Sequence, residues 1–483
     1  MVEDVGARAS DRDNGTILPM PPMSPPATEH RPIDHAAALG TRPVGRLLWS
    51  SCSQTTLSVG IYGIYALTNT WFVAHGVGDS AMAAVNLVTP LLLLLGAVAA
   101  AVGVGGASLV SRSLGASDTA SAARAAGNAF TLFWVSAIAT TVIGLSALDP
   151  LLTMLGAHGA LRGPARSYAI VLLSGAIVST GFSSLVRAEG RMRFSTLLWV
   201  VPVMAQIALD PVLIFGLRLG VRGAALGLIG GQTISAAMSV WFFFLQRDRP
   251  YRITLANLRP HAPTVRSLLG IGAPSFLTGI GATVLAVLVN STLAHADSAT
   301  ALAAYAVCAR IRTFITTPQL GISQGLQPVV GYSYGRAQTE RVQRAMTLAL
   351  RATTLYGVLV LASVILLARP MVAVFVTDPT IASTARHALR IIALAFAAYG
   401  IAPLVSAYFQ SVGKPKPSYL LALGTLLVIK IPLVIVLGRT GANGIWIGLA
   451  VGELASALTA LIILKLVDHQ HRPATTPTSG SHG

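Results

Sequence analysis

PVLIFGLRLGVRGAALGLIGGQTIS, residues 211–235, and PLVIVLGRTGANGIWIGLAVGELAS, residues 432–456, decide the architecture of this 483-residue chain. At a fixed offset Pro211, Arg218, Gly220, Gly223, Gly227, Gly231 and Ser235 meet Pro432, Arg439, Gly441, Gly444, Gly448, Gly452 and Ser456. Glycine and alanine are common here, so a single match means little. An ordered run of identities over 25 residues is hard to obtain by chance. An offset one residue shorter extends the correspondence: Ala81, Ala83, Ala84, Gly105, Val110, Ser113, Gly115, Thr119 and Ala125 meet the same residues at 301, 303, 304, 325, 330, 333, 335, 339 and 345. The chain is a duplication.

Both copies are apolar almost throughout. The chain is 53% hydrophobic and only 11% charged, less than half of the roughly 25% usual in soluble domains. A formal charge of +17 on a soluble protein would suggest nucleic acid, but here the basic residues share the chain with apolar runs of helix-spanning length. The solvent of this protein is a lipid bilayer, and no nucleic-acid partner is expected. Cys52 and Cys308 stand far apart in apolar stretches, so neither a disulfide framework nor a metal cluster is expected.

A membrane-spanning helix needs about 20 apolar residues. Such stretches fall near 47–74, 82–111, 122–147, 166–186, 194–216 and 223–245, then near 267–293, 299–334, 342–367, 386–412, 417–438 and 443–466. The expected organisation is an N-terminal lobe over 46–245, a cytoplasmic linker over 246–265 and a C-terminal lobe over 266–467. Residues 1–45 and 468–483, rich in proline and polar residues, are read as disordered cytoplasmic tails. Six spans per half orient both halves alike across the membrane. Parallel repeats about an axis along the membrane normal are a transporter architecture, with a cleft between them for the substrate. The expected fold is therefore all-α and integral to the membrane, twelve helices in two pseudo-symmetric six-helix lobes around a central cavity.

Placing both termini in the cytoplasm puts sixteen Lys and Arg in the inner loops against eight in the outer ones, as the positive-inside rule requires. The acids divide evenly. The protein is thus expected as a multi-pass component of the plasma membrane, acting as a monomer.

A resemblance to the multidrug and toxic compound extrusion (MATE) family rests on several stretches between about 47 and 467. They are Thr68-Asn69-Thr70-Trp71-Phe72-Val73-Ala74-His75, Val110-Ser111-Arg112-Ser113-Leu114-Gly115-Ala116, Arg187-Ala188-Glu189-Gly190-Arg191 and Leu209-Asp210-Pro211-Val212-Leu213-Ile214. The most specific is Gly321-Ile322-Ser323-Gln324-Gly325-Leu326-Gln327-Pro328-Val329-Val330-Gly331-Tyr332-Ser333-Tyr334-Gly335. The resemblance implies secondary active export of amphipathic organic compounds in exchange for H⁺ or Na⁺, with no other cofactor. It also marks departures. Asn69 stands where the family usually carries an aspartate, Gln206 where it has Asn, and Leu228 where it has Thr. Of that cation-site cluster only Asp210 is an acid. The acids that another branch uses in its seventh and tenth helices are missing from 267–293 and 386–412.

Asp210 is the candidate coupling group, because an ionisable side chain at membrane depth is costly and functional by default. Interfacial capping is its plainer reading. Asn69 and Gln206 cannot titrate but can hydrogen-bond the acid or a substrate, and they equally suit helix–helix adhesion. Arg310, with Arg312 nearby, lies a third of the way into the eighth span, where the resemblance also places an arginine. Together with Tyr65 and Gln324 it is a candidate for the substrate cavity. Pro90, Pro202 and Pro318 are candidates for helix bending during alternating access. Lys430 and Glu453 are placed to pair across the last two spans. H⁺ is favoured over Na⁺ as the coupling ion, since oxygen ligands for a hard cation are few here. A lipid-linked glycan flippase of the same wider superfamily is the alternative. An intramembrane enzyme is remote, because the spans hold no HExxH and no aspartate pair.

Overall fold

A segment that crosses lipid must satisfy its own backbone hydrogen bonds, and a helix does so within one stretch of chain. In the computed structural model the described residues, 35–178, 181–246, 248–295 and 299–469, contain helices and no strand. In the first half α1 (His35–Thr41) leads into α2 (Val44–Gly76), α3 (Asp79–Gly115), α4 (Thr119–Ser146), α5 (Leu148–Met154), α6 (Arg162–Ser174), α7 (Ser183–Ala188), α8 (Met192–Pro211) and α9 (Val221–Val240). A linker carrying the one-turn α10 (Leu255–Leu258) leads to α11 (Ala262–His295), α12 (Ala299–Gly335), α13 (Thr339–Ala373), α14 (Pro379–Ala393), α15 (Phe396–Tyr399), α16 (Ile401–Ser411), α17 (Pro415–Tyr419), α18 (Ile431–Gly438) and α19 (Ala442–His469). π-helical stretches continue α8 over Val212–Gly216 and α9 over Trp241–Leu245, and join α17 to α18 over Leu420–Lys430.

Nine helices among the described residues are long and apolar enough to cross a membrane, and α14 with α15–α16 makes a tenth, bent by 49°. The remaining long helices, α2 and α12, have 33 and 37 residues, ample for a crossing. Twelve expected spans thus have twelve helical counterparts. Their surfaces are covered in apolar side chains, Ile143, Leu366, Val428 and Leu458 among them, as lipid requires.

One feature differs from the sequence expectation. The N-terminal tail, expected to be structureless to residue 45, gains structure earlier. His35-Ala36-Ala37-Ala38-Leu39 is a short helix-forming, partly apolar run; it folds as α1 and buries Ala36 and Leu39. Arg341 on α13 donates to the carbonyls of Leu39 and Arg42 at 2.7 and 2.6 Å. Residues 1–34 and 470–483 lie outside the described residues. The three candidate bending prolines and the sharp bend fall at different places. Pro90, Pro202 and Pro318 all lie within continuous helices, whereas the 49° break falls at Leu394 and Ala395.

The buried side chains divide in a way that defines the molecule. Where α2 and α4 begin and α3 and α12 end, a single core draws on both halves: Val110, Leu185 and Phe242 from the first, Leu268, Leu326 and Phe409 from the second. Toward the opposite end there are two cores. One is built from Val73 to Leu228 alone, the other from Val289 to Leu449 alone. The halves are joined at one end and part toward the other.

The seam obeys the sequence repeat. A Cβ on Gly115 would strike the Tyr332 carbonyl, and one on Gly335 would strike the Arg112 carbonyl. Gly115 and Gly335 are repeat equivalents, as are Arg112 and Tyr332, so the two approaches are mates about a pseudo-two-fold axis. Gly272 against Ala101 and Gly321 against Cys52 form a second mated pair. Close backbone approach through small residues is how membrane helices associate. Gly115→Ala and Gly335→Ala are each expected to cost about 1–3 kcal/mol, the range for overpacking a filled contact. Gly270→Ala, with nothing within 4 Å of the added Cβ, serves as the neutral comparison in thermal unfolding of detergent-solubilised protein.

The linker is held as firmly as the helices. Asn128 on α4 donates to the Asn257 carbonyl at 3.1 Å and accepts from the His261 backbone N–H at 2.8 Å. Thr131 donates to the Leu258 carbonyl at 2.6 Å.

Candidate functional site

In the N-terminal half, α8 delivers Asp210 into a fully buried position. Helices α2 and α9 flank it. Asn69, two turns before the C-terminal end of α2, donates its Nδ2 to Asp210 Oδ2 at 3.0 Å. On the other flank α9 presents Gly227, where any Cβ would run into Asp210 Oδ1. A larger residue at 227 would leave no room for the carboxyl. Asp210 Oδ1 itself has no hydrogen-bond partner among the described residues. A buried carboxyl oxygen without a donor is expensive, and it is the atom where a proton or a cation would sit. Immediately beyond, Pro211 starts the π-helical turn Val212–Gly216, an irregularity often found at functional positions.

The other positions singled out in the sequence fall as follows. Gln206 is buried one turn before Asp210 and lines a small cavity of about 60 Å³ between α8 and α9, with Trp199, Pro202 and Gly231. Leu228 belongs to the apolar core of this half and brings no hydroxyl. Gln324 is half-buried on α12, beside the glycines that meet α2. The side chain of Tyr65 lies outside the described residues. Arg310 is exposed and lines neither cavity. Ser323, in the segment Gly321-Ile322-Ser323-Gln324-Gly325, has the spacing of a hydrolase nucleophile but sits mid-helix and donates to the Gln319 carbonyl at 3.1 Å. The strand-to-helix elbow that such a nucleophile needs does not occur among the described residues.

A second polar site lies wholly within the C-terminal half. A cavity of about 160 Å³ between α11, α12, α15–α16, the π-helical stretch and α19 is lined by Tyr305, Arg312, Tyr399, Lys430 and Glu453 within apolar walls. Lys430 Nζ meets Glu453 Oε1 at 2.7 Å, with both side chains about one-fifth exposed. Arg312, Tyr305 and Tyr399 were not distinguished by sequence. Arg310 and Arg312 are two residues apart on one helix, hence on nearly opposite faces. Nothing in an apolar neighbourhood says which of them turns inward.

A third cluster lies at the joined end. Arg249 from the linker grips Glu189 through Nη2 and Oε1 and through Nε and Oε2, the latter at 3.2 Å. The Tyr251 hydroxyl donates to Glu189 Oε1 at 2.5 Å. The guanidinium also donates to the Phe243 carbonyl and stacks on the Phe243, Tyr251 and Phe242 rings with centroids at 4.5, 4.6 and 5.0 Å. Glu189 and Arg249 are essentially inaccessible. Such a cluster, saturated with partners, is a clamp with no vacancy for a ligand.

Two six-helix halves, joined at one end and parted at the other, with charged side chains buried inside each half, define a membrane transporter. The chain belongs to the MatE family, whose model matches residues 55–212 and 274–436. It is 26% identical over 418 residues to the Multidrug export protein MepA of Staphylococcus aureus (strain MRSA252), covering 86% of this chain and 91% of that protein. It is 22% identical over 446 residues to the FAD transporter of Shewanella oneidensis (strain MR-1), covering 90% and 98%. Among solved structures it is similar, at a TM-score of 0.85 and 25% identity, to an outward-facing conformation of a multidrug resistance MATE family transporter of the MOP superfamily, over 90% of this chain and 98% of that one. A further similar structure is a MOP superfamily transporter from Pyrococcus furiosus Vc1 (DSM3638), described by the reverse polarity of its binding pocket, at a TM-score of 0.84 and 25% identity over 89% and 97%. The protein is a multi-pass membrane transporter of a multidrug efflux family and not an enzyme.

Proposed function

We propose that this protein exports small amphipathic organic compounds across the plasma membrane in exchange for H⁺. The buried Asp210, held by Asn69 on one oxygen and bare on the other, is the observation that carries the reading. A proton needs one such oxygen. Na⁺ needs several oxygen ligands, and the leucine at 228 and the glycine at 227 supply none from the facing helix. The charge of the loops supports the membrane orientation: the joined end, with α1, the end of α19 and the linker, faces the cytoplasm. Cargo then enters from the cytoplasm when that end opens and leaves from the end where the halves part. The protein works as a monomer, since each chain contains both lobes. S. aureus MepA, a multidrug export protein, supports drug-like cargo.

Proteoliposomes of the purified protein, loaded with a lipophilic cationic dye and given a pH gradient or a Na⁺ gradient separately, test the reading. Dye movement driven by the pH gradient alone is expected. Movement driven by Na⁺ alone overturns the choice of ion, and movement under neither gradient overturns coupled export.

A further inference from the structure

We propose that the cavity inside the C-terminal half binds a small organic anion, a monocarboxylate with a compact apolar body. Its charged lining is Arg312 and Lys430 against Glu453. Lys430 and Glu453 neutralise each other at 2.7 Å. Arg312 makes no ion pair among the described residues; its electrostatic neighbours are the phenols of Tyr305 and Tyr399 and the already paired Glu453. One positive charge is left over inside a membrane-embedded space, where an unmatched charge is costly. An anion completes the set, and guanidinium–carboxylate pairing is geometrically the best match.

The remaining lining tells what the rest of the ligand is. Thr425 spends its hydroxyl on the Leu421 carbonyl at 2.6 Å and Thr278 on the Pro274 carbonyl at 2.8 Å. Ser406 adds one further hydroxyl residue to the lining, and the rest of the wall, Leu285, Ala286, Leu421 and Leu426 among it, suits hydrocarbon. A volume near 160 Å³ compares with the roughly 150 Å³ of an engineered cavity that admits benzene, so the body is about one ring in size. Tyr399, Ala402 and Pro403 form one wall immediately after the 49° break. Broken membrane helices lining a polar site are a recurrent way of building binding pockets in transporters.

The duplication sharpens the contrast between the halves. The helix that ends at Pro211 carries an acid, Asp210, whereas its equivalent before Pro432 carries a base, Lys430. Asp210 has no ion-pair partner among the described residues, whereas Lys430 is paired with Glu453, so in the second half the unmatched charge is that of Arg312. This inference does not rest on the direction of transport or on the coupling ion.

The test is calorimetric titration of the full-length protein in detergent with benzoate, and with benzyl alcohol and benzylammonium as neutral and cationic isosteres. Benzoate is expected to bind saturably and at least tenfold more tightly than either isostere. Arg312→Gln is expected to weaken it at least tenfold. Arg310→Gln, on the exposed face of the same helix, is expected to leave it unchanged, and Glu453→Gln, which frees Lys430, to tighten it severalfold. A double variant, Lys430→Met with Glu453→Met, retains the lone Arg312 and is expected to keep benzoate binding, which covers the case in which Arg312→Gln does not fold. Equal binding of benzyl alcohol, loss at Arg310 instead of Arg312, or loss of binding in the double variant overturns the proposal.

Discussion

Asp210→Asn is expected to abolish export driven by a pH gradient while leaving the helical structure and melting behaviour close to wild type. The amide has the shape of the carboxyl, so it fits beside Gly227 and its oxygen still accepts from Asn69 Nδ2. What it lacks is an oxygen that can bind a proton. Flux under a pH gradient is expected to fall at least about a hundredfold, to the leak of protein-free liposomes, equivalent to about 2.7 kcal/mol at 1.36 kcal/mol per decade. Asn69→Ala keeps the acid and removes only its donor. A hydrogen bond to a charged group is worth about 1.5–3 kcal/mol, so a partial loss of roughly tenfold or more is expected there. Dye-efflux rates in vesicles at fixed protein density report both variants. Wild-type rates in Asp210→Asn under a pH gradient would remove the residue from coupling.

The second large effect concerns stability. Glu189→Gln is expected to destabilise the protein by about 3–5 kcal/mol, the cost of leaving one member of a buried ion pair without its partner. Arg249 is enclosed by rings and by the Phe243 carbonyl, and its positive charge has no route to water. Burial works against that charge, but Glu189 and Tyr251 more than offset it, so the guanidinium pKa lies above its usual value. Burial first, then the Glu189 carboxylate, pushes the Tyr251 hydroxyl well above the ordinary tyrosine range. It therefore remains a proton donor to Glu189 at any working pH. Tyr251→Phe removes one donor to a charged group and is expected to cost about 1.5–3 kcal/mol. Glu189→Leu with Arg249→Met, by removing both charges, is expected to regain most of what Glu189→Gln loses. Thermal melts of detergent-solubilised protein, followed by loss of the monodisperse peak, rank the three variants. A Glu189→Gln protein that melts with wild type would show that the clamp contributes nothing.

The Arg187–Arg191 segment illustrates how far sequence reading reaches. It stood out as a motif and was placed at an inner loop between spans. Its partners, Arg249 and Tyr251, lie some 60 residues further on in a polar linker whose composition reads only as basic. Lys430 and Glu453 were legible as a possible pair because each is a lone charge in an apolar span. Their companion Arg312 was not, because Arg310 competes for the same role two residues away. Asp210 and Asn69 were both legible as unusual, but their hydrogen bond joins residues 141 positions apart. No local pattern encodes it.

The sequence by itself determined that this is a helical membrane protein, that it is a duplication, where the twelve apolar runs lie and which polar residues are exceptional within them. These follow from composition, run length and repeat identity, all of which are properties of the chain read in order. Only the tertiary structure decided which way each helix faces about its own axis, and hence which charges meet. In a soluble helix the apolar stripe points to the core and gives that direction away. In lipid both the core and the solvent are apolar, so a side chain such as Leu458 outside and Val434 inside look alike in sequence. The same ambiguity hid the joined core at one end and the two separate cores at the other, since the residues that build them are equally hydrophobic along the whole length of the spans.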